Sequence, residues 1–302
     1  MTINHALDRL AASLLRALIW MIRRVTPEQA SNFGGALARN LGPLLPVTKV
    51  GDANLRRAMP ELSASARRRI LRQVWDNLGR TVCELPHLGS LGQISTNVAG
   101  PGWEITGEQY LHDVAHSPGP ALLLGAHIGN WEVLPAAMAR FGMRLGFFYR
   151  AASSPAVETL IQKLRKDACQ RDVPGFPKGA QGARQAVAHL VRGGHLGMLF
   201  DQKLNNGIAV ELFGHLAMTA PAAAAFGLRY KAAMVCGRVQ RIGPARFRLS
   251  VEAPLALPNS GDNEADIASL TRTLNQRLEA WVRDDPGQWL WLHRRWPKQP
   301  AN

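Results

Sequence analysis

The chain is predicted to fold as an α/β protein, with a mixed, mostly parallel central sheet flanked by helices and a helical N-terminal extension. Three observations predict it. Short apolar runs recur from about residue 100 onward, segments of helical period separate them, and the residues before them carry helical period alone. Strands that alternate with helices need crossover connections, which place helices on the faces of a parallel sheet.

Taken in order, Ala6 to Ile22 reads as a helix. Arg9, Arg16 and Arg23 recur every seven residues and stack on one stripe with Ser13, while Leu7, Leu10, Leu14, Leu18 and Met21 line the opposite face. An arginine at mid-bilayer costs roughly 2.5–3.5 kcal/mol. The stripe therefore predicts a helix lying in a membrane interface, with Trp20 as an interfacial anchor. A tilted span with snorkelling arginines, or an ordinary amphipathic helix packed on the protein's own core, remain the alternatives. Leu62 to Leu85 also has helical period, and Arg67, Arg68, Arg69 and Arg72 on it form a basic cluster that reads first as a solvated face.

Ala121–Gly125, Leu145–Tyr149 and Leu196–Phe200 then read as buried strands, and Trp131–Phe141, Ala156–Cys169, Gly182–Val191 and Ala220–Arg229 as helices. Ala233–Val239 and Arg246–Glu252, separated by a loop with Gly243 and Pro244, read as an antiparallel pair at one edge of the sheet. Ala265 to Val282 is a last helix. In the tail, Trp289, Trp291, His293 and Arg295 alternate with Leu290 and Leu292, a period of two that predicts a strand with one aromatic-basic face. The division that follows is an N-terminal amphipathic anchoring helix at 1–25 and one domain at 26–302, helical over 26–95 and α/β over 96–302.

Composition bounds the function. The 302 residues carry a net charge of +14, which asks for an anionic partner: nucleic acid, anionic lipid or an acidic protein. Cys83, Cys169 and Cys236 lie far apart without CxxC spacing, against a disulfide framework or a zinc site and in favour of a reducing compartment. The N-terminus lacks a signal-peptide layout. No GxSxG elbow, HExxH or P-loop is present.

The candidate chemistry lies in Ala126-His127-Ile128-Gly129-Asn130-Trp131-Glu132, directly after the strand Ala121–Gly125. Open α/β sheets place ligands at the carboxyl ends of strands. Five residues on a regular helix diverge by about 140°. His127 and Glu132 therefore meet only if the histidine stays in the loop and the glutamate in the first helical turn. Pro135 supports that start, Gly129 supplies turn freedom, and Asn130 is a plausible N-cap. A carboxylate beside an imidazole makes a general base, and backbone N–H groups at the helix start would receive an oxyanion. The spacing alone, however, favours a lone histidine in a turn followed by a capping glutamate.

Several motifs in fixed order lift that ambiguity. His127-Ile128-Gly129-Asn130-Trp131-Glu132, Asp201-Gln202-Lys203, Phe213-Gly214 with Thr219-Ala220-Pro221, and Trp291-Leu292-His293-Arg294-Arg295-Trp296 follow one another, and Asn77-Leu78-Gly79-Arg80 with Glu84 lies upstream. Over nearly its whole length the chain resembles the bacterial lipid A late acyltransferases, the lauroyl/myristoyl transferases of the HxxxxD/E superfamily. It departs at Glu211-Leu212, where relatives often carry Pro-Phe.

The resemblance implies a glycerol-3-phosphate acyltransferase-like fold at the cytoplasmic face of a bacterial inner membrane. It implies an enzyme that moves a fatty acyl chain of lauroyl type from acyl-acyl carrier protein to a hydroxyl of a lipid A precursor. His127 is then the base and Glu132 its orienting partner, while Gly129, Asn130, Arg150, Arg165, Asp201 and Gln202 bind substrate. Asp201 is expected to orient substrate or an arginine, or else to cap a turn structurally, Glu84 to serve equally well as a buried ion-pair partner, and His293 to be structural. No metal or other cofactor is implied beyond the acyl donor. The partners implied are the acidic acyl carrier protein, an anionic lipid and the membrane surface, with no nucleic acid. The competing readings are another glycolipid or phospholipid acceptor, and a non-catalytic basic protein of membrane surfaces or nucleic acid.

Overall fold

The computed structural model describes residues 2–149, 152 and 154–297, and for residues 2–10 the backbone alone. Arg150 lies outside the described residues.

Four helices come first: α1 (Thr2–Ile22), α2 (Pro27–Leu41), α3 (Thr48–Ala58) and α4 (Ala64–Glu84). Thr26 caps α2 through a capping box with Gln29, and Ser63 caps α4 by accepting from the Ala66 N–H. Alternation then begins with β1 (Gly102–Thr106), α5 (Glu108–His116), β2 (Ala121–Gly125), α6 (Val133–Ala139), β3 (Leu145–Tyr149), α7 (Pro155–Cys169), β4 (Gly175–Pro177), α8 (Ala180–Val191) and β5 (His195–Leu199). A hairpin of β6 (Lys203–Leu212) and β7 (His215–Thr219), α9 (Ala222–Tyr230), β8 (Ala233–Gly243), β9 (Arg246–Val251) and α10 (Asn263–Asp284) complete it.

The main sheet has the order β1-β9-β8-β2-β5-β3-β4, and every pairing in it is parallel except β8 with β9. This is the mixed, mostly parallel sheet expected. The β8–β9 pair is antiparallel as predicted but is not the edge. β1 pairs with β9 and lies outside it. Its Gly-Trp-Glu-Ile-Thr sequence, entered through Gly100-Pro101, has too few apolar residues to read as a strand.

Successive strand residues face opposite sides, so the sheet has two cores. Leu123, Leu145, Val235 and Leu249 belong to one, beneath α5 and α6. Leu124, Phe200 and Cys236 belong to the other, with α9 and α10.

The tail corrects the expected strand. After a 3₁₀ turn at Pro286–Gln288 it runs irregularly, with one isolated bridge between Ile128 and Trp289. Trp289, Trp291, Trp296 and Arg295 are all buried, whereas Arg294 is exposed. The alternation came from indole rings filling the core below the helices, where three large side chains outweigh the ladder that a strand would need.

α1 packs on α7. It buries Ala12, Ile19 and Ile22 and leaves Leu14, Leu18, Trp20 and Met21 exposed. α2 presents a second exposed stripe of Phe33, Leu37 and Leu41. Among the described residues no helix is long and apolar enough to cross a membrane.

Candidate active site

β2 and β5 lie side by side in parallel with Gly125 opposite Leu199. Each chain runs two residues further, to His127 on one strand and Asp201 on the other. Equal overrun from paired residues brings the two side chains together at the carboxyl end of the sheet. His127 Nδ1 stands 2.7 Å from Asp201 Oδ1, and the His127 backbone N–H donates to Asp201 Oδ2 at 3.0 Å. Trp289 Nε1–H donates to the same Oδ2 at 2.8 Å. Asp201 is fully buried.

This arrangement corrects two expectations. The carboxylate hydrogen-bonded to His127 is that of Asp201, not Glu132, and among the described residues Asp201 makes no ion pair with an arginine. Glu132 instead forms a two-pronged pair with Arg165, Nη2 to Oε1 at 2.7 Å and Nε to Oε2 at 3.0 Å. The reason is geometric. Glu132 ends the turn just before α6 and points toward α7, which carries Arg165, while the imidazole Nδ1 points along the strand ends to Asp201. Glu132 still adds its charge to the field that favours an imidazolium.

Burial by itself would lower the pKa of His127. The charge and hydrogen bond of Asp201, with help from Glu132, outweigh burial and raise it. Burial would likewise raise Asp201, but the His127 charge and hydrogen bond, with the Trp289 N–H, hold it well below the usual carboxylate range. A permanently ionised Asp201 fixes the proton on Nδ1 and leaves Nε2 as the basic nitrogen. Nε2 faces the exposed Gln202, whose amide nitrogen lies 3.3 Å away.

The loop between His127 and Glu132 is rigid for reasons unrelated to substrate. Gly129 has φ +58°, and a Cβ there would collide with the Val239 carbonyl oxygen. Its carbonyl accepts from Asn77 Nδ2 at 2.9 Å, and its N–H donates to the Gln288 carbonyl at 3.0 Å. Asn130 is fully buried, donates to Glu84 Oε2 at 2.8 Å and accepts the Glu132 N–H at 3.2 Å. Gly129 and the Asn130 side chain thus hold the loop together through contacts inside the protein. The backbone N–H groups of this loop are mostly engaged as well. The N–H groups of Ile128, Gly129, Glu132 and Val133 all have internal acceptors.

Glu84 anchors this loop from below. Fully buried, it pairs with Arg241, accepts from Ser31 Oγ at 2.6 Å and from the Ala245 N–H at 3.1 Å, and holds Asn130. Of the two roles the sequence allowed, the buried ion-pair partner is the one observed. The tail closes the other side, where the Leu290 N–H donates to the His127 carbonyl at 3.0 Å. His293 sits against this tail with its Nδ1 on the Leu290 carbonyl, and burial lowers its pKa.

His127, Glu132, Arg165 and Gln202 line the mouth of an apolar cavity of about 600 Å³, within the range of small-molecule sites. Burial pushes the Cys169 thiol up to about 11, so it is not a thiolate nucleophile at neutral pH. Among the described residues no three metal-ligating side chains converge.

A family model for bacterial lipid A biosynthesis acyltransferases matches residues 4–298. The chain belongs to that family. It is therefore an acyltransferase of lipid A biosynthesis. A solved structure with some likeness to this acyltransferase is that of the 1-acyl-sn-glycerophosphate (LPA) acyltransferase PlsC from Thermotoga maritima. It is 10% identical, with 80% of this chain and 98% of that chain covered, at a TM-score of 0.35. No curated protein matches.

The sequence singles out Asp201 but does not pair it with His127, and it gives no sign of Trp289 as a donor to Asp201. The equal distances of His127 and Asp201 beyond two apolar runs were the available signal, and they become informative only once β2 and β5 are known to be neighbours.

Proposed function

We propose that this acyltransferase moves a fatty acyl chain of lauroyl type from acyl-acyl carrier protein to a hydroxyl on a 3-hydroxyacyl chain of a lipid A precursor, at the cytoplasmic face of the inner membrane. The observation that carries the reading is the His127–Asp201 pair at the mouth of an apolar cavity.

His127 Nε2 takes the proton from the acceptor hydroxyl as its oxygen attacks the thioester carbonyl. The imidazolium that forms is held by the Asp201 carboxylate. Negative charge gathers on the carbonyl oxygen in the tetrahedral state. Glu132 uses two of the five N–H donors of Arg165, so the guanidinium keeps others for that oxygen, and the Gln202 amide lies close by. Collapse breaks the C–S bond, and the imidazolium returns its proton to the departing thiolate. The products are an acyloxyacyl ester and the free carrier thiol. The route needs no acyl-enzyme and no cofactor beyond the donor.

The exposed apolar stripes on α1 and α2, with a net charge of +14, support docking on an anionic lipid surface. The same charge suits an acidic carrier protein.

The test is to incubate the purified protein with acyl-acyl carrier protein and a lipid A precursor and to follow product mass. Addition of one acyl group is expected, and His127→Ala should reduce the rate by roughly 10²–10⁴-fold. Near-normal turnover by a folded His127→Ala protein would refute the mechanism, and transfer only to other lipids would refute the acceptor.

A further inference from the structure

The cavity is lined from both faces of the sheet, and the part on each face is termed an arm. Leu123, Val235 and Leu249 line one arm and belong to the core beneath α5 and α6, together with Met138 of α6 and Leu111 of α5. Phe148, Met198 and Phe226 line the other and pack against the opposite core, where Phe226 is carried by α9. Neighbouring residues on one strand, such as Gly197 and Met198 on β5, therefore line different arms, and His127 at the strand ends lines the same cavity.

The arms differ in closure. The first is the more enclosed: Leu111, Leu249, Val235 and Met138 are all at most 4% exposed. Its floor is widened by Gly125, Gly197 and Gly237, which lie on three adjacent strands. The second is half-open. Phe148, Met198 and Phe226 are only partly buried, and Lys178 and Lys203 stand among its lining residues.

We propose that the half-open arm binds the hydrocarbon of the acceptor's own hydroxyacyl chain, so that this acyltransferase reads the acceptor's chain as well as its headgroup. The inference rests on the reaction proposed above. A thioester donor offers one free chain end, which suits the more enclosed, glycine-floored arm. The acceptor hydroxyl lies along a chain, so hydrocarbon continues past the carbon that bears it. With that hydroxyl on His127 Nε2 and the donor chain in the more enclosed arm, the continuing hydrocarbon has the second arm to enter. The remainder of a multi-chain, phosphorylated lipid then stays outside, where the two lysines suit its anionic groups.

The test compares two synthetic phosphorylated glucosamine lipids whose 3-hydroxyacyl chains differ by about two methylenes beyond the hydroxyl, with one acyl-acyl carrier protein donor. Each buried methylene is worth about fourfold in affinity (about 0.8 kcal/mol), so wild type should favour the longer acceptor in kcat/KM by at least about tenfold. Met198→Trp, which fills the half-open arm, should erase that preference while leaving the donor chain-length profile unchanged. Gly197→Val should do the reverse, shifting the donor profile to shorter chains. The nearest atom to a Cβ at Gly197 is Phe147 Cβ at 3.6 Å, so space at the first added carbon is available. Phe226→Leu, a milder change, serves if Met198→Trp does not fold, and should weaken the acceptor preference. Product formation with no acceptor-length preference in wild type would overturn this inference alone. So would a shift in the donor profile on Met198→Trp or Phe226→Leu. No product from any acyl-carrier thioester would overturn the proposed reaction and this inference together.

Discussion

Asp201→Asn removes the charge behind His127 while conserving the shape of a side chain that no solvent reaches. Two effects follow from its contacts. The 2.7 Å bond to Nδ1 becomes a full ion pair once the imidazole accepts the substrate proton, and a hydrogen bond to a charged group is worth about 1.5–3 kcal/mol. To the extent that this strengthening is lost from the transition state, kcat falls by up to about 10- to 150-fold. The amide also no longer enforces a proton on Nδ1, so part of the enzyme holds its proton on Nε2, where the base is blocked. Together these predict a fall in kcat of roughly 10²–10⁴-fold, with KM for donor and acceptor little changed. The pH profile supplies a second reading. Asp201 raises the pKa of His127 against the pull of burial, and the base works only when neutral. The acid limb of kcat/KM in wild type therefore lies above the ordinary histidine value, about 6.5, and Asp201→Asn should move it to lower pH. Steady-state turnover across pH, with folding checked by circular dichroism, makes the measurement. A kcat within tenfold of wild type, or an acid limb that stays in place, would refute Asp201 as the orienting carboxylate.

Glu132→Gln leaves Arg165 without its two-pronged partner in a partly exposed site. It should lower kcat/KM about tenfold, at the weaker end for charge-assisted bonds because solvent screens the pair, without moving the acid limb as far as Asp201→Asn does. Glu84→Ala strands the buried Arg241 charge and should cost about 3–5 kcal/mol of stability, read as a lower denaturant midpoint; an unchanged midpoint would contradict the buried pair. Deleting residues 1–24 removes the exposed face of Leu14, Leu18, Trp20 and Met21 and should reduce co-sedimentation with anionic vesicles. Full retention would place the membrane contact elsewhere, with α2 the next candidate.

Much of the frame was legible because its signals are local. The apolar runs at Ala121–Gly125 and Leu145–Tyr149 coincide with β2 and β3, since a strand buried on both faces must be apolar throughout. Pro135 placed the start of α6 correctly within its first turn. The hairpin of β6 and β7 was missed because its strands are half-polar and sit outside the main sheet. The tail misled because alternating tryptophans satisfy a core as readily as they satisfy a strand.

The sequence by itself determined the fold class and the placement of His127 at a strand end, and its resemblance to a family implied that Glu132, Arg165 and Gln202 share one site. It also singled out Asp201. Which carboxylate serves the histidine was decided only by the tertiary structure. His127 and Glu132 are close in the chain but point toward different helices and strands. His127 and Asp201 are far apart in the chain yet extend equally beyond two paired strands. Strand order is set by how the whole sheet packs, and no local pattern encodes it. The same holds for Asn130, which the motif places in the site and which burial against Glu84 turns into a fixture of the loop.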